Sequence, residues 1–426
     1  MMSDTYKKHY SVIIVGSGQS GLSVSYYLQQ EKIDHLVIEK RTVMHSWKHE
    51  RWDSFTLVTP NWQCLLPGHP YDGDDPQGFM TRDEVIDYLN RFAEKVNAPV
   101  VEGVTVEKVT KNDQGIYHVS TSHGEYTADQ VVIATGGYQQ PLIPRMAEKI
   151  PASMVQIHSV QYKNPGQLPD GAVMVVGSGQ SGAQIAEDLH LAGKKVYLVT
   201  GNAPRVARHY RGRDVVEWLE RMQYYKLSVN QHPLGKDVRH NTNHYVTGRD
   251  GGHDIDLRKF ATEGMTLFGH LLDYEHGEMK FAPTLAQNLA RADDVYNSVN
   301  RRIDDYIRKN RIVAPEGYQY TPVWEPKQER ETCHLAEEGI TSIIWCIGFM
   351  SDFRWVDVPV FNGCGTPVHE RGVTSVSGLY FIGLSWLHTW GSGRFAGVAT
   401  DAEYLVRCIS DDQSVIPTRT PEKISA

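Results

Sequence analysis

The chain is poor in what several large classes of protein require. Its five cysteines, Cys64, Cys333, Cys346, Cys364 and Cys408, form no CxxC pair in 426 residues. That spacing sets aside a disulfide scaffold, a thiolate zinc site and a redox-active dithiol, and makes a cytoplasmic location the expectation. No stretch approaches the ~20 apolar residues of a membrane span, and the apolar run at residues 12–15 is broken at once by glycine, so neither a membrane nor a signal peptide is expected. Positive charge is also scarce. Lys and Arg number 43 against 51 Asp and Glu, a net charge of -8, whereas a nucleic-acid groove needs a concentration of cations. Only "RVARHYRGR" at residues 205–213 departs from this balance. No HExxH and no Ser/His/Asp spacing occurs. His240 and His244 lie in "HNTNHYVTGRDGGHDID", where Asn, Thr and Gly break any helix face, so a polar loop rather than a metal site is expected.

What the chain does have is glycine in a particular order. "VIIVGSGQSG" begins at Val12 and "VMVVGSGQSG" at Val173. Around the first copy, "YSVIIV" reads as a buried parallel strand, "GLSVSYYLQQEKI" as a helix and "DHLVIEK" as the returning strand. Gly16 permits the tight turn, Gly18 lets the backbone approach a pyrophosphate, and Gly21 lets the helix pack closely on the sheet. Glu39, at the end of the second strand, can accept both ribose hydroxyl hydrogens. In the second copy Gly177, Gly179 and Gly182 take the three glycine roles, but the following strand ends in "VTGNAPRVARHYR" without an acid. Thr200, Arg205 and Arg208 would welcome a 2′-phosphate that a carboxylate would repel, which favours NADPH over NADH; solvated surface arginines are the alternative. Two copies with unlike intervening sequence indicate two nucleotide sites rather than a solenoid.

The composition, 40% hydrophobic and 22% charged, is that of a folded globular protein of two or three domains. The expected class is α/β, with two Rossmann-like dinucleotide-binding domains, the second inserted into a discontinuous first. The motif order places the first part of the outer domain at 1–164, the inserted domain at 165–325 and the second part at 326–426. Thr81 with Glu84 reads as a capping box for "RDEVIDYLNRFAEKV". "TLAQNLARADDVYNSVNRRIDDYIRKN" reads as a long amphipathic scaffold helix.

The two glycine turns, "IATGGYQQP", "IWCIGF" and "GLYFIGLSW" together resemble the flavin-containing monooxygenase-like branch of the two-dinucleotide-binding flavoproteins, over nearly the whole chain. The resemblance implies FAD on Gly16, Gly18, Gly21 and Glu39, with Trp47, Thr135, Gly136, Gly383, Gly391 and Gly393 as further cofactor contacts, and NADPH on Gly177, Gly179 and Gly182. The family's linker motif is met by His158 and Tyr162, whereas Ala152 and Met154 stand where it has an aromatic residue and a glycine. Tyr162 followed by Lys163 looks more like the heteroatom-oxidising members than the Baeyer–Villiger enzymes. "LVTPNWQCLLP" is similar to a segment of indolepyruvate-oxidising relatives. "RWDSFTLVTPNW" and "GRDGGHDIDLRKFATEG" have the look of a bacterial nitrilase-associated subgroup.

The implied activity is a monooxygenase that uses NADPH and O2 to oxygenate a small organic substrate at a nucleophilic N, S or carbon centre through a C4a-(hydro)peroxyflavin. The family resemblance makes Asn61 the candidate beside the flavin, with a turn-capping asparagine as its alternative. His388 is the candidate donor to a flavin oxygen, with a packed connection near Trp386 and Trp390 as its alternative. Partners would be the substrate and O2, with no nucleic acid and no membrane, and a homodimer is the oligomer considered. Two other classes share the nucleotide turns: an NAD(P)H-dependent reductase passing electrons to a protein or quinone, and a non-catalytic flavin-binding sensor.

Overall fold

The computed structural model describes residues 8–415. The first repeat forms as its pattern requires: the strand His9–Val15 carries Val12, Ile13 and Ile14, all fully buried, and each such side chain contributes about 1.5–3 kcal/mol by leaving water. His9–Val15 pairs in parallel with His35–Ile38 on one side and with Gly124–Ile133 on the other. Val15 is opposite both Ile38 and Ile133, so three strands end level. The short strand Leu379–Phe381, from the far end of the chain, joins Gly124–Ile133 in parallel with Phe381 opposite Ile133. These four ends bring Gly16, Glu39, Thr135 and Gly383 to one edge of a ten-stranded sheet, where open α/β sheets take their ligands.

The second sheet is a five-stranded parallel one in the order Val155–His158, Ile340–Trp345, Ala172–Val176, Val196–Val199, Thr266–Phe268. Two of its strands come from outside the expected bounds of 165–325. Val155–His158 precedes residue 165 and Ile340–Trp345 follows residue 325, yet both pair inside this sheet. The turn-rich stretch at 165–170 is therefore a connection within the inserted domain. A strand cannot be assigned by the loop beside it when its hydrogen-bond partner is far off in sequence.

The helix Arg82–Val96 starts with the expected box: the Glu84 carboxylate accepts from the Thr81 backbone N–H at 2.8 Å, and the Thr81 hydroxyl accepts from the Glu84 N–H. The long helix Leu285–Asn310 buries Leu289, Tyr296, Ile303 and Ile307 along one face. No helix among the described residues is long and apolar enough to cross a membrane.

Candidate functional site

The two glycine turns are near copies in three dimensions. Gly16 and Gly177 both have φ of +105°, and an added Cβ would lie 2.9 Å from the Ala134 carbonyl oxygen in one and 2.6 Å from that of Cys346 in the other. Gly21 and Gly182 press their helices onto the turn so closely that a Cβ would fall 1.9 Å and 1.7 Å from the carbonyl oxygens of Gly16 and Gly177. The middle glycines differ from these. A Cβ on Gly18 would meet nothing within 4 Å, and one on Gly179 would meet only Thr242 Cγ2 at 3.9 Å. Gly18 and Gly179 cap the helices Gln19–Gln30 and Gln180–Leu191 without any side-chain cap bond. Open space in front of uncapped N–H groups is what a pyrophosphate needs.

Glu39 is held at the tip of its strand, Oε2 accepting from the Ser17 N–H and hydroxyl at 2.8 Å each and Oε1 from the Arg41 N–H at 2.8 Å. Carboxylate lone pairs outnumber these donors, so ribose hydroxyls can still be accepted. Gly383, Gly391 and Gly393 nest in the terminal segment: a Cβ on Gly393 would sit 2.7 Å from the Gly383 carbonyl oxygen, and one on Gly391 3.1 Å from Gly397 Cα. The Trp47 indole donates to Gln19 Oε1 at 3.1 Å, and Gln19 Nε2 donates to the Gly393 carbonyl at 3.0 Å. Thr135 Oγ1 and the Gly136 carbonyl both accept from Gln139 at 3.0 and 2.8 Å. The FAD-side residues are thus brought together. Gln19 was missed by the sequence reading, although its recurrence as Gln180 in the duplicated "GSGQSG" was a visible signal; Gln180 donates to the Val246 carbonyl at 2.6 Å.

Four expectations meet geometry that points elsewhere. Arg205, 3% exposed, lies between Asp256 at 3.1 Å and Asp293 at 3.3 Å, with its guanidinium 3.9 Å over the Tyr320 ring. Arg208, fully buried, pairs with Asp214 at 2.6 Å, donates to the Val58 carbonyl at 2.7 Å and covers Phe79. Both guanidiniums are engaged with carboxylates in the interior. The Thr200 hydroxyl sits at the strand tip as expected, yet it is buried, donating to the Phe268 carbonyl at 2.7 Å and accepting from Asn288 at 3.1 Å. Asn61 is buried, its amide donating to the Asp75 carbonyl at 2.9 Å and accepting from the Met80 N–H at 2.7 Å. These bonds are of the kind the turn-capping alternative expects. The basic cluster folds inward because acids on other elements, invisible to local spacing, need counterions.

His388 lies in a strained connection beside Trp386, whose φ is +52°. Its N–H donates to Ser392 Oγ at 3.0 Å and its carbonyl accepts from the Val229 N–H at 2.6 Å. Burial, helped by Arg371, pushes its imidazole below the ordinary range, so the ring is neutral at pH 7. In the linker, His158 bonds the Gly348 carbonyl at 3.0 Å. Tyr162 donates at 2.7 Å to Asp188, which also accepts from Ser54 at 2.6 Å and pairs with Arg249 at 2.9 Å. One buried carboxylate on the second domain's glycine helix therefore ties down the linker, the 51–55 segment and the 247–253 loop. All five cysteines are free, and burial pushes the thiols of Cys64 and Cys333 up to about 12 and about 11.

Residues 13–262 match the family model described as pyridine nucleotide-disulphide oxidoreductase. The chain belongs to this family. It is 32% identical over 402 residues to an uncharacterized CzcO-like oxidoreductase of Geobacillus kaustophilus, covering 93% of this chain and 97% of that protein. An indole-3-pyruvate monooxygenase of Arabidopsis thaliana is 31% identical over 202 residues, 46% of this chain and 48% of that one. A flavin-containing monooxygenase from Stenotrophomonas maltophilia has the same fold, with a TM-score of 0.65 at 19% identity, over 95% of this chain and 99% of that one. The chain is therefore an FAD- and NAD(P)H-dependent enzyme with two Rossmann-like domains. The uncapped turns at Gly18 and Gly179 fit both dinucleotides.

Proposed function

We propose that the enzyme is an FAD- and NADPH-dependent monooxygenase acting on a small organic molecule at a nucleophilic N, S or carbon centre. The observation that carries this reading is the loop at 239–246, which spans both turns. Thr242 is the protein atom nearest the open face of Gly179, and the next residue, Asn243, accepts at 3.1 Å from Arg394, which directly follows Gly393. A reductant on the second turn and a flavin on the first would then meet under one cover. Bound FAD supplies the electron and oxygen chemistry. The chain's own share is enclosure. Trp47 and Phe395, with rings 5.0 Å apart, and Trp390 and Tyr225, 4.6 Å apart, wall the space beside Gly393 against water. His388, neutral, offers a ring nitrogen in the same terminal segment, and Asn61 clamps the segment at 61–80 through the Asp75 carbonyl and the Met80 N–H.

The partial likeness to plant indole-3-pyruvate monooxygenases supports oxygenation, and the absence of a paired thiol among the free cysteines argues against dithiol chemistry. NADPH remains the proposed reductant because Thr200 stands where Glu39 stands in the first repeat, so no carboxylate repels a 2′-phosphate there. The nitrilase-associated subgroup stays outside this proposal.

The test is anaerobic reduction of the purified flavoprotein by NADPH, followed by rapid mixing with O2. A species spectrally distinct from reduced and oxidised flavin, and label from 18O2 in a product of an amine, sulfide and 2-oxo-acid screen, is expected. Direct return to oxidised flavin with stoichiometric hydrogen peroxide and no labelled product would instead identify a reductase. No reduction by either nicotinamide would leave a flavin-binding sensor.

A further inference from the structure

The two dinucleotide turns belong to different domains, so the gap between their ligands is set by whatever joins those domains. The helix Gln180–Leu191 starts at the open Gly179 turn and carries Asp188 near its other end, ~13 Å along the axis. Asp188 is 5% exposed. Its Oδ1 accepts from the Ser54 hydroxyl at 2.6 Å and from Arg249 at 2.9 Å, and its Oδ2 from the Tyr162 hydroxyl at 2.7 Å.

Each donor leads to the first domain. Ser54 lies in it, beside Phe55, whose ring meets Trp47 edge-on at 6.2 Å; Trp47 in turn donates to Gln19, the first residue of the helix Gln19–Gln30. Tyr162 is followed by Lys163, whose carbonyl accepts from the Asp53 N–H at 2.7 Å and whose ammonium donates to the His49 and Arg51 carbonyls. Arg249 belongs to the loop that seats Gly248 on the first domain, where an added Cβ would lie 2.0 Å from the Leu57 carbonyl oxygen. The acid before Asp188, Glu187, is 2% exposed and bonds His253 at the far end of that loop at 2.7 Å. A carboxylate that serves its own domain looks different: Glu338 accepts from the Tyr197 hydroxyl at 2.6 Å within the inserted domain.

The length of the helix makes this joint a lever. A tilt of about 5° about Asp188 moves the Gly179 turn by ~1 Å. Hydride transfer, two electrons and a proton passing from reduced nicotinamide to oxidised flavin, needs its reacting atoms about 3–3.5 Å apart, and a misplacement of ~1 Å can cost about 100-fold in rate. We propose that Asp188 is a positioning residue for this transfer: through Ser54 and Tyr162 it holds the second dinucleotide turn at working distance from the first. The inference rests on the nucleotide placements of the proposed function and not on its oxygen step.

The experiment is anaerobic rapid-mixing reduction of the holoprotein by NADPH, with NADP+ calorimetry and the long-wavelength charge-transfer absorbance that NADP+ gives with dithionite-reduced flavin. In Ser54→Ala and in Tyr162→Phe the limiting rate should fall by about tenfold or more and the charge-transfer band should weaken, while flavin content and NADP+ affinity stay within about twofold of the parent. Both changes act through one carboxylate, so the double variant should be about as slow as the slower single. Ser54→Thr keeps the hydroxyl and should recover most of the rate. Tyr197→Phe, which removes a comparable bond inside the inserted domain, should lower the unfolding midpoint and leave rate and band alone. Parental rates and bands in Ser54→Ala and Tyr162→Phe overturn the proposal, leaving Asp188 a stabilising bond. A matching loss of NADP+ affinity overturns it by assigning the effect to binding, and a Tyr197→Phe as slow as Tyr162→Phe does so by assigning it to stability. A parent protein that neither nicotinamide reduces removes the transfer and the proposal with it. Oxygen is absent throughout. If the variants behave as expected while no labelled product forms, the joint stands and the monooxygenase reading falls; unaffected variants of an enzyme that incorporates 18O remove the joint alone.

Discussion

Replacing Arg208 with alanine should unfold the protein more readily and leave its choice between NADPH and NADH alone. The guanidinium is fully buried, pairs with Asp214 at 2.6 Å and donates to the Val58 carbonyl at 2.7 Å, which bolts the flap at 55–80 to the inserted domain. Removing it leaves the Asp214 carboxylate, 7% exposed, with one remaining donor, the Val216 N–H at 2.7 Å. Breaking one side of a buried pair costs about 3–5 kcal/mol, which lowers the unfolding midpoint of a domain of this size by on the order of 10 °C. The loss arises mostly from the stranded acid. Arg208→Met combined with Asp214→Asn should therefore recover part of the stability lost in Arg208→Met alone, since the amide can still cap the following helix. Differential scanning calorimetry gives the midpoints, and steady-state flavin reduction with each nicotinamide gives the cofactor ratio. An Arg208→Ala protein within about 1 kcal/mol of the parent, but with its NADPH preference reduced tenfold or more, would refute this reasoning and return Arg208 to the phosphate.

Gly18→Ala should fold, because no protein atom lies within 4 Å of the added methyl, yet should lose FAD during purification; Gly16→Ala, at a φ of +105° and 2.9 Å from a carbonyl, should lose folded yield as well. Flavin-to-protein absorbance ratios and midpoints separate the two, and a fully flavinylated Gly18→Ala would count against the pyrophosphate placement. Asn61→Ala should cost about 1–3 kcal/mol by freeing the Asp75 carbonyl and the Met80 N–H; unchanged stability with altered oxygen reactivity would return Asn61 to the flavin. Stability should fall as pH drops from 6.5 towards 4. Burial, helped by Arg239 and Lys236, depresses the His369 imidazole to about 4, and its Nδ1 accepts from the Gly372 N–H, so the unfolded chain takes up the proton first. His369→Gln should flatten the midpoint-against-pH curve in that window, and an unchanged slope would show that this imidazole is not responsible.

The two glycine turns and the class of fold were legible in local patterns. Gly16, Gly18 and Gly21, and their copies, obey constraints that act within one strand, turn and helix, and a backbone that must bend at φ of +105° against a neighbouring strand admits little but glycine. The Thr81 capping box is legible because its partner is three residues away, and Glu39 because the strand–turn–helix–strand unit fixes its distance from the glycine turn. Arg205 and Arg208 read as phosphate ligands because spacing shows charge but not its counterion. Asp256, Asp293 and the Val58 carbonyl arrive from distant elements, and the turn after residue 210 folds Asp214 back onto Arg208, so both guanidiniums are taken inward. Sheet membership was hidden in the same way, since Val155–His158 and Ile340–Trp345 are joined by a hydrogen-bond ladder between residues nearly two hundred positions apart. Which cations are neutralised depends on packing: Arg51, Arg239 and Arg394 are all partly buried without an ion-paired acid among the described residues. Charge is a property of a residue, whereas pairing is a property of the packed chain.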